Sequence, residues 1–274
     1  MLGDLYFPLL GQKIAPYGIC IGLGILACLT VFFILTKKRG MKQNIQDFTF
    51  FIAIVAIASG FLFAKLFQAF YVYLEKGYFN FYSAGVTVMG GIVGGASTFI
   101  LLYFLVGHFY FKGKNQALYV KQFSITLSVA PICIAVAHAF GRIGCLMSGC
   151  CHGDFLSYSK GSGGIYMLGD SGWGYYVPIQ LYESIFLFIL FAVLVFLFIK
   201  RCNITMSIYL IAYAIWRFII EIFRGDYRAE FTSLSPSQIQ SIIFFAVGVA
   251  ILIYFYVKKI PFFLPNEEIK EEKK

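Results

Sequence analysis

Long apolar runs alternate with short polar breaks along the chain. Residues 17–36 are uncharged over about 20 positions, enough for a helix to cross a bilayer. Further runs cover residues 48–73, 86–111, 123–140, 181–199, 204–223 and 239–257. Each predicts a membrane-crossing helix, so the expected fold class is an all-α integral membrane protein with seven transmembrane helices. Residues 154–178 read as a polar loop rich in glycine, serine and tyrosine, with Trp173, Tyr175 and Tyr176 supplying the composition of an aromatic belt. Residues 1–16 are short and mixed, readable as an amphipathic segment in the interface or as a tail. Residues 1–260 are expected to form one seven-span domain, and residues 261–274 a charged, disordered cytoplasmic tail.

Composition removes the main alternatives. The 274 residues are 60% hydrophobic and 13% charged, which excludes a soluble domain with a large core. The net charge of +9 invites a nucleic-acid reading. The basic residues lie mainly between the apolar runs, however, which is the pattern of membrane topology, and no nucleic-acid partner is expected. Roughly 14 lysines and arginines fall on one side of the seven spans and about 6 on the other. This predicts an N-terminus outside, a C-terminus in the cytoplasm, and residues 138–153 toward the outer face. The N-terminus lacks a basic region and a small-residue cleavage site, so no removed signal peptide is expected. Seven cysteines without regular spacing imply no secreted disulfide framework, and Cys20, Cys28 and Cys133, inside apolar runs, read as packing residues.

Polarity concentrates at residues 138–153, where 16 positions hold Arg142, Cys145, Cys150, Cys151, His138, His152 and four glycines. One reading is a loop in which the glycines make turns and the cysteines fill space. The other is a site, because a cation beside hydrocarbon is costly and its presence marks function. Three cations fall in or at the edge of spans: Lys65, Arg142 and Arg217. Arg217 and Glu221 are four residues apart and can pair on one helical face, with Arg224 a turn later. That set could be no more than a self-neutralising clamp between helices. Arg142 has no acid at helical spacing, so its partner comes from another span or from a ligand. Glu183, beside Gln180 and Tyr182, is the leading protein partner. Phosphate is the natural ligand for guanidinium, so arginines facing the outer leaflet read as a site for an anionic lipid headgroup. The glycines at 90, 91, 94 and 95 permit close helix approach.

These residues resemble the prolipoprotein diacylglyceryl transferase family of bacteria. Gly141-Arg142-Ile143-Gly144-Cys145-Leu146-Met147-Ser148-Gly149, with Gly153 beyond, is similar to the family's G-R-x-G-N-F-x-N-G and following glycine. Pro16-Tyr17-Gly18 resembles its first-span motif, and residues 60–66 its second, with Lys65 in an arginine's place. Residues 85–91 resemble its G-M-S-x-H-G-G, ending on Met89, Gly90 and Gly91. Residues 178–183 resemble P-S-Q-L-Y-E through Gln180, Tyr182 and Glu183, and residues 213–224 its R-x-x-x-E-x-x-R block. Ser237-Gln238 echoes its G-Q before the last span. The resemblance implies a multi-pass enzyme of the bacterial cytoplasmic membrane without a cofactor or metal. Its substrates are phosphatidylglycerol and precursor proteins carrying a lipobox cysteine, whose thiol becomes a thioether as glycerol-1-phosphate leaves. It implies that Arg142, Arg217 and Tyr17 act on the phosphate, with Glu183 and Glu221 orienting the arginines; His138 joins the catalytic candidates from outside the family pattern. The remaining motif positions are assigned to substrate binding.

Beyond Lys65, the chain departs from the family pattern at four polar positions that matter for the chemistry. Met89 stands where the family has histidine, Cys145 and Ser148 where it has asparagine, and Cys150 where it has an acid. His138 or His152 could supply a base from a new position. A relative with the same phospholipid site and another acceptor or donor is the alternative, ahead of a seven-helix transporter or receptor without catalysis. Cys145, Cys150, Cys151 and His152, with His138 upstream, supply enough ligands for zinc, though their spacing matches no usual zinc pattern; packing, a disulfide from Cys145 to Cys150 or Cys151, and a nucleophilic or transiently acylated cysteine beside Arg142 also stay open.

Overall fold

The structure is a computed structural model that describes residues 5–7, 12–14, 16–79, 81, 87–161, 163–169, 172–224 and 234–263. Its elements in chain order are β1 (Leu5–Phe7), β2 (Gln12–Ile14), α1 (Pro16–Lys38), α2 (Gln43–Lys76), α3 (Val88–Tyr110), α4 (Lys114–Ser148), β3 (Phe155–Ser157), β4 (Ile165–Gly169), β5 (Gly172–Tyr176), α5 (Ile179–Ile199), α6 (Thr205–Ile220) and α7 (Pro236–Val257). A 3₁₀ turn, Glu221–Phe223, continues α6. Seven helices among the described residues are long and apolar enough to cross a membrane, one for each run read from the sequence. Most of the expected tail, residues 264–274, lies outside the described residues.

Three expectations are corrected. The apolar run of the fourth span ends at Phe140, but α4 continues through Gly141 and Arg142 to Ser148. Nothing lies within 4 Å of the place where a Gly141 side chain would begin, and the stretch contains no proline, so nothing there interrupts the helical hydrogen bonds. The helix stops at Gly149, whose φ of 76° only glycine adopts without strain. Gly149 N donates to the Leu146 carbonyl at 3.3 Å and Cys150 N to the Cys145 carbonyl at 3.2 Å, a Schellman end. Second, residues 154–178 hold a three-stranded antiparallel sheet in the order β3-β5-β4. Third, the N-terminal segment carries a two-stranded ribbon, with Leu5 opposite Ile14 and Phe7 opposite Gln12.

The chain divides into two units, residues 33–126 and residues 1–32 with 127–274. In the first, α2 and α3 approach through glycines. A Cβ on Gly60 would sit 3.1 Å from the Gly91 carbonyl, and one on Gly90 2.7 Å from the Phe63 carbonyl and from Phe67 Cβ. Small residues in membrane helices allow this dispersion contact where no hydrophobic drive exists between apolar faces. Ser59 and Thr98 hydroxyls share a hydrogen bond of 2.7 Å across the same seam. An aromatic core of Tyr103, Phe111 and Tyr119, with Phe48 and Phe123 packed on it, fills the far end of this unit. Tyr103 Oη donates to the Tyr119 carbonyl at 2.8 Å, so the buried phenol keeps a partner.

In the second unit, the start of α1 packs on α4, where a Cβ at Gly24 would lie 3.0 Å from the Ala137 carbonyl. Ser184 of α5 donates to the Ala139 carbonyl at 3.1 Å and Thr205 of α6 to the Ser128 carbonyl at 2.8 Å, so each hydroxyl ties its helix to α4. Phe186 and Trp216 stack at 4.4 Å between α5 and α6. Chain direction then gathers the C-terminal ends of α4 and α6 with the N-terminal ends of α5 and α7. Polar side chains on these four ends can meet without crossing the apolar middle.

Candidate functional site

Glu183 is the centre of that meeting. It lies on the second turn of α5 and is 1% exposed. Arg142 Nε from α4 stands 3.0 Å from its Oε2, and Arg217 Nη1 from α6 3.6 Å from the same oxygen. Tyr213 Oη donates to Oε1 at 3.2 Å, and His138 Nε2 lies 3.8 Å away. His138 and Arg142 are one turn apart on α4, as are Tyr213 and Arg217 on α6, so each helix presents two polar groups to one carboxylate. The His138 ring meets Tyr213 edge-on at 5.1 Å.

A second carboxylate extends the cluster. Arg217 Nη2 is 2.6 Å from Glu221 Oε2 and donates to Ser237 Oγ at 3.0 Å. Arg224 Nε is 3.9 Å from Glu221 Oε2, with both side chains buried. Glu221 Oε1 accepts from Ser235 Oγ at 3.0 Å, while the same Oγ accepts from Gln238 N at 3.2 Å as the cap of α7. The Gln238 side chain returns a bond to Ser235 N, completing a capping box that fixes the start of α7 against the cluster. Among the described residues, Arg142, Arg217 and Arg224 stand around Glu183 and Glu221. Guanidiniums held in a low-dielectric setting suit an anionic ligand.

The turn after α4 closes one side. Gln180 Nε2 donates to the Cys150 carbonyl at 2.7 Å, and Gly153 N to the Val177 carbonyl at 2.9 Å. Gly153 also pairs with Arg224 as an isolated bridge, so the turn is joined to the end of α6. A Cβ on Gly153 would lie 2.7 Å from the Phe223 carbonyl and 2.8 Å from Val177 Cβ. Gly153→Ala is therefore expected to destabilise the protein by about 1–3 kcal/mol, whereas Gly141→Ala leaves thermal unfolding unchanged. Melting curves of the two variants in the same lipid check this, and equal melting would refute it.

The sulfurs of Cys145, Cys150 and Cys151 converge within 4.8 Å of one another on this turn. Hydrogen bonds from the Cys145 and Cys150 thiols hold the Cys151 thiol below the ordinary cysteine range, with Arg224 and Arg142 acting in the same direction. All three are free cysteines, as are Cys20, Cys28 and Cys133.

The structure thus brings together Arg142, Arg217, His138, Glu183, Glu221 and Arg224 of the residues named from the sequence. Tyr17, in the first turn of α1, lies against Gly144, where a Cβ would be 3.0 Å from its ring. Gln180 acts on the turn through its amide. Tyr182 is 42% exposed, and Ser148 is exposed at the end of α4. Lys65, Met89, Gly90 and Gly91 belong to the unit of residues 33–126. Lys65 Nζ there lies over the Phe81 ring at 5.0 Å, and packing against α2 accounts for Gly90. His152 is buried beneath Tyr176 at 4.4 Å and its Nδ1 donates to the Gly153 carbonyl at 2.9 Å, which makes it part of the turn. Sequence reading passed over Tyr213 and Ser235. The signal for Tyr213 was its position one turn before Arg217, and for Ser235 the S-P-S-Q pattern of a helix start.

Comparison with known proteins gives a concordant result. The pattern of the family described as prolipoprotein diacylglyceryl transferase matches residues 5–254. A phosphatidylglycerol–prolipoprotein diacylglyceryl transferase of Clostridium tetani is 33% identical over 258 residues, covering 89% of this chain and 94% of that protein. The second such enzyme of Clostridium perfringens is 35% identical over 269 residues, 93% of each chain. One from Dehalococcoides mccartyi is 32% identical over 249 residues, 87% of this chain and 88% of that protein.

Proposed function

Because the chain belongs to the prolipoprotein diacylglyceryl transferase family, we propose that it moves the diacylglyceryl group of phosphatidylglycerol onto a cysteine thiol of a prolipoprotein, with the arginines around Glu183 holding the phosphate. The observation that carries this assignment of the site is the buried cluster itself. Arg142 and Arg217 share one carboxylate, and Arg217 and Arg224 share a second. A phosphodiester headgroup accepts hydrogen bonds from the guanidinium edges.

The thiol sulfur of the acceptor attacks the glyceryl carbon that bears the phosphate. The carbon–oxygen bond breaks, its electron pair stays on the phosphate oxygen, and glycerol-1-phosphate leaves as the thioether forms. Charge grows on the leaving phosphate, so donors fixed in advance in a dry site stabilise the transition state more than the ground state. Glu183 and Glu221 keep Arg142 and Arg217 in place before the lipid arrives. His138, partly exposed and within reach of Glu183, takes the thiol proton. Tyr17, at the start of α1, donates to the headgroup. The acceptor is a lipobox cysteine presented at the outer face of the bacterial cytoplasmic membrane, the side on which the lysine and arginine distribution places this end of the helices.

The test is direct. Purified protein in phosphatidylglycerol vesicles is given a lipobox peptide, and diacylglyceryl addition is read by mass spectrometry. Product is expected with phosphatidylglycerol and not with phosphatidylcholine. No product from the wild type in phosphatidylglycerol would overturn the proposal.

A further inference from the structure

The turn after α4 holds a second constellation that the transfer reaction does not use. Cys145 sits in the last turn of the helix, the Schellman end reverses the chain at Gly149, and Cys150 and Cys151 follow at once. Cys151 has φ of 61°, a left-handed conformation that is strained for a residue with a Cβ. The turn is held from outside by Gln180 on the Cys150 carbonyl and by the Gly153 pairings with Val177 and Arg224. A strained residue kept in place by its surroundings points to a role for where its side chain goes. Here that strain and those braces put three sulfurs within 4.8 Å of one another.

We infer that Cys145, Cys150 and Cys151 form a three-thiolate site for one thiophilic cation, zinc(II) or copper(I). With zinc–sulfur bonds of about 2.3 Å, sulfurs around a tetrahedral ion stand roughly 3.8 Å apart, inside the observed spacing. Zinc with three thiolates carries one net negative charge. Cys150 is exposed, so the ion has a path in and a fourth position open to water. Binding forms three metal–sulfur bonds and releases the thiol protons to solvent, without oxidation or reduction. A disulfide would use only two of the three sulfurs and would need an oxidant.

The test reads metal rather than transfer, so its outcome is separate from that of the lipid assay. Reduced protein is titrated with cobalt(II), which reports thiolate ligation by an intense charge-transfer band in the near ultraviolet. Zinc(II) and copper(I) are then added in separate arms. One equivalent of cobalt per chain is expected, displaced by the cation the site prefers. The bound cation should also shield all three cysteines from N-ethylmaleimide, read by peptide mass on the wild-type protein. Cys150→Ser should weaken binding by more than the roughly 10–100-fold that loss of an outer-shell partner costs. Absence of the band with free labelling of all three cysteines would overturn the inference. So would recovery of a disulfide from Cys145 to Cys150 or Cys151 when mild oxidation is carried out in excess metal.

Discussion

Glu183→Gln is expected to destabilise the protein by roughly 3–5 kcal/mol and to abolish measurable transfer. The carboxylate is buried, faces Arg142 at 3.0 Å and Arg217 at 3.6 Å, and accepts from Tyr213. Glutamine keeps the shape and removes the charge, leaving two guanidiniums to repel one another where water cannot screen them. Removing one partner of a buried ion pair costs far more than the pair contributes, because the survivor cannot be rehydrated. Glu183→Asp keeps the charge on a shorter arm and should fall between wild type and glutamine. Thermal unfolding in matched phosphatidylglycerol nanodiscs measures the first effect and the peptide assay the second. A glutamine variant that melts within about 1 kcal/mol of wild type would show that Glu183 is not the anchor of the cluster.

Arg142→Ala separates chemistry from folding. Glu183 still faces Arg217 and Tyr213 in that variant, so no carboxylate is left buried without a cation. The fold should survive. Transfer should fall about 100- to 1,000-fold in kcat/KM, the usual loss when a fixed donor to developing negative charge is removed. Arg142→Lys should recover part of this loss, since an ammonium supplies the charge but not the planar two-pronged contact. Arg217 is bound by Glu183, Glu221 and Ser237 together, so replacing it should lower melting temperature and activity in step. Full activity in Arg142→Ala would remove the phosphate-holding role assigned to the cluster.

The contrast between these two variants follows from how the site is assembled. Arg142 is on α4, Glu183 on α5 and Arg217 on α6, and the hydroxyls of Ser184 and Thr205 hold α5 and α6 against α4. The arginine and glutamate identities were legible in the sequence because a charge inside an apolar run stands out. The partner chosen from the sequence for Arg142 rested on its polar neighbours and the resemblance. It took the packed helices to put one carboxylate between two arginines, and to add Tyr213, Ser235 and Ser237 around them.

By itself the sequence determined the seven crossings and the polar residues available to the site. These are local properties: a crossing needs enough consecutive apolar residues, and a charge inside an apolar run stands out. Tertiary structure alone decided that α4 runs on to Ser148, because a helix ends where its hydrogen bonds are capped and not where its hydropathy falls. It alone decided that residues 154–178 fold into a sheet, that His152 packs beneath Tyr176 and that three sulfurs meet. Each of these depends on the rotation and rise of one element against another. Packing sets those quantities over the whole unit, and no short window of sequence contains them.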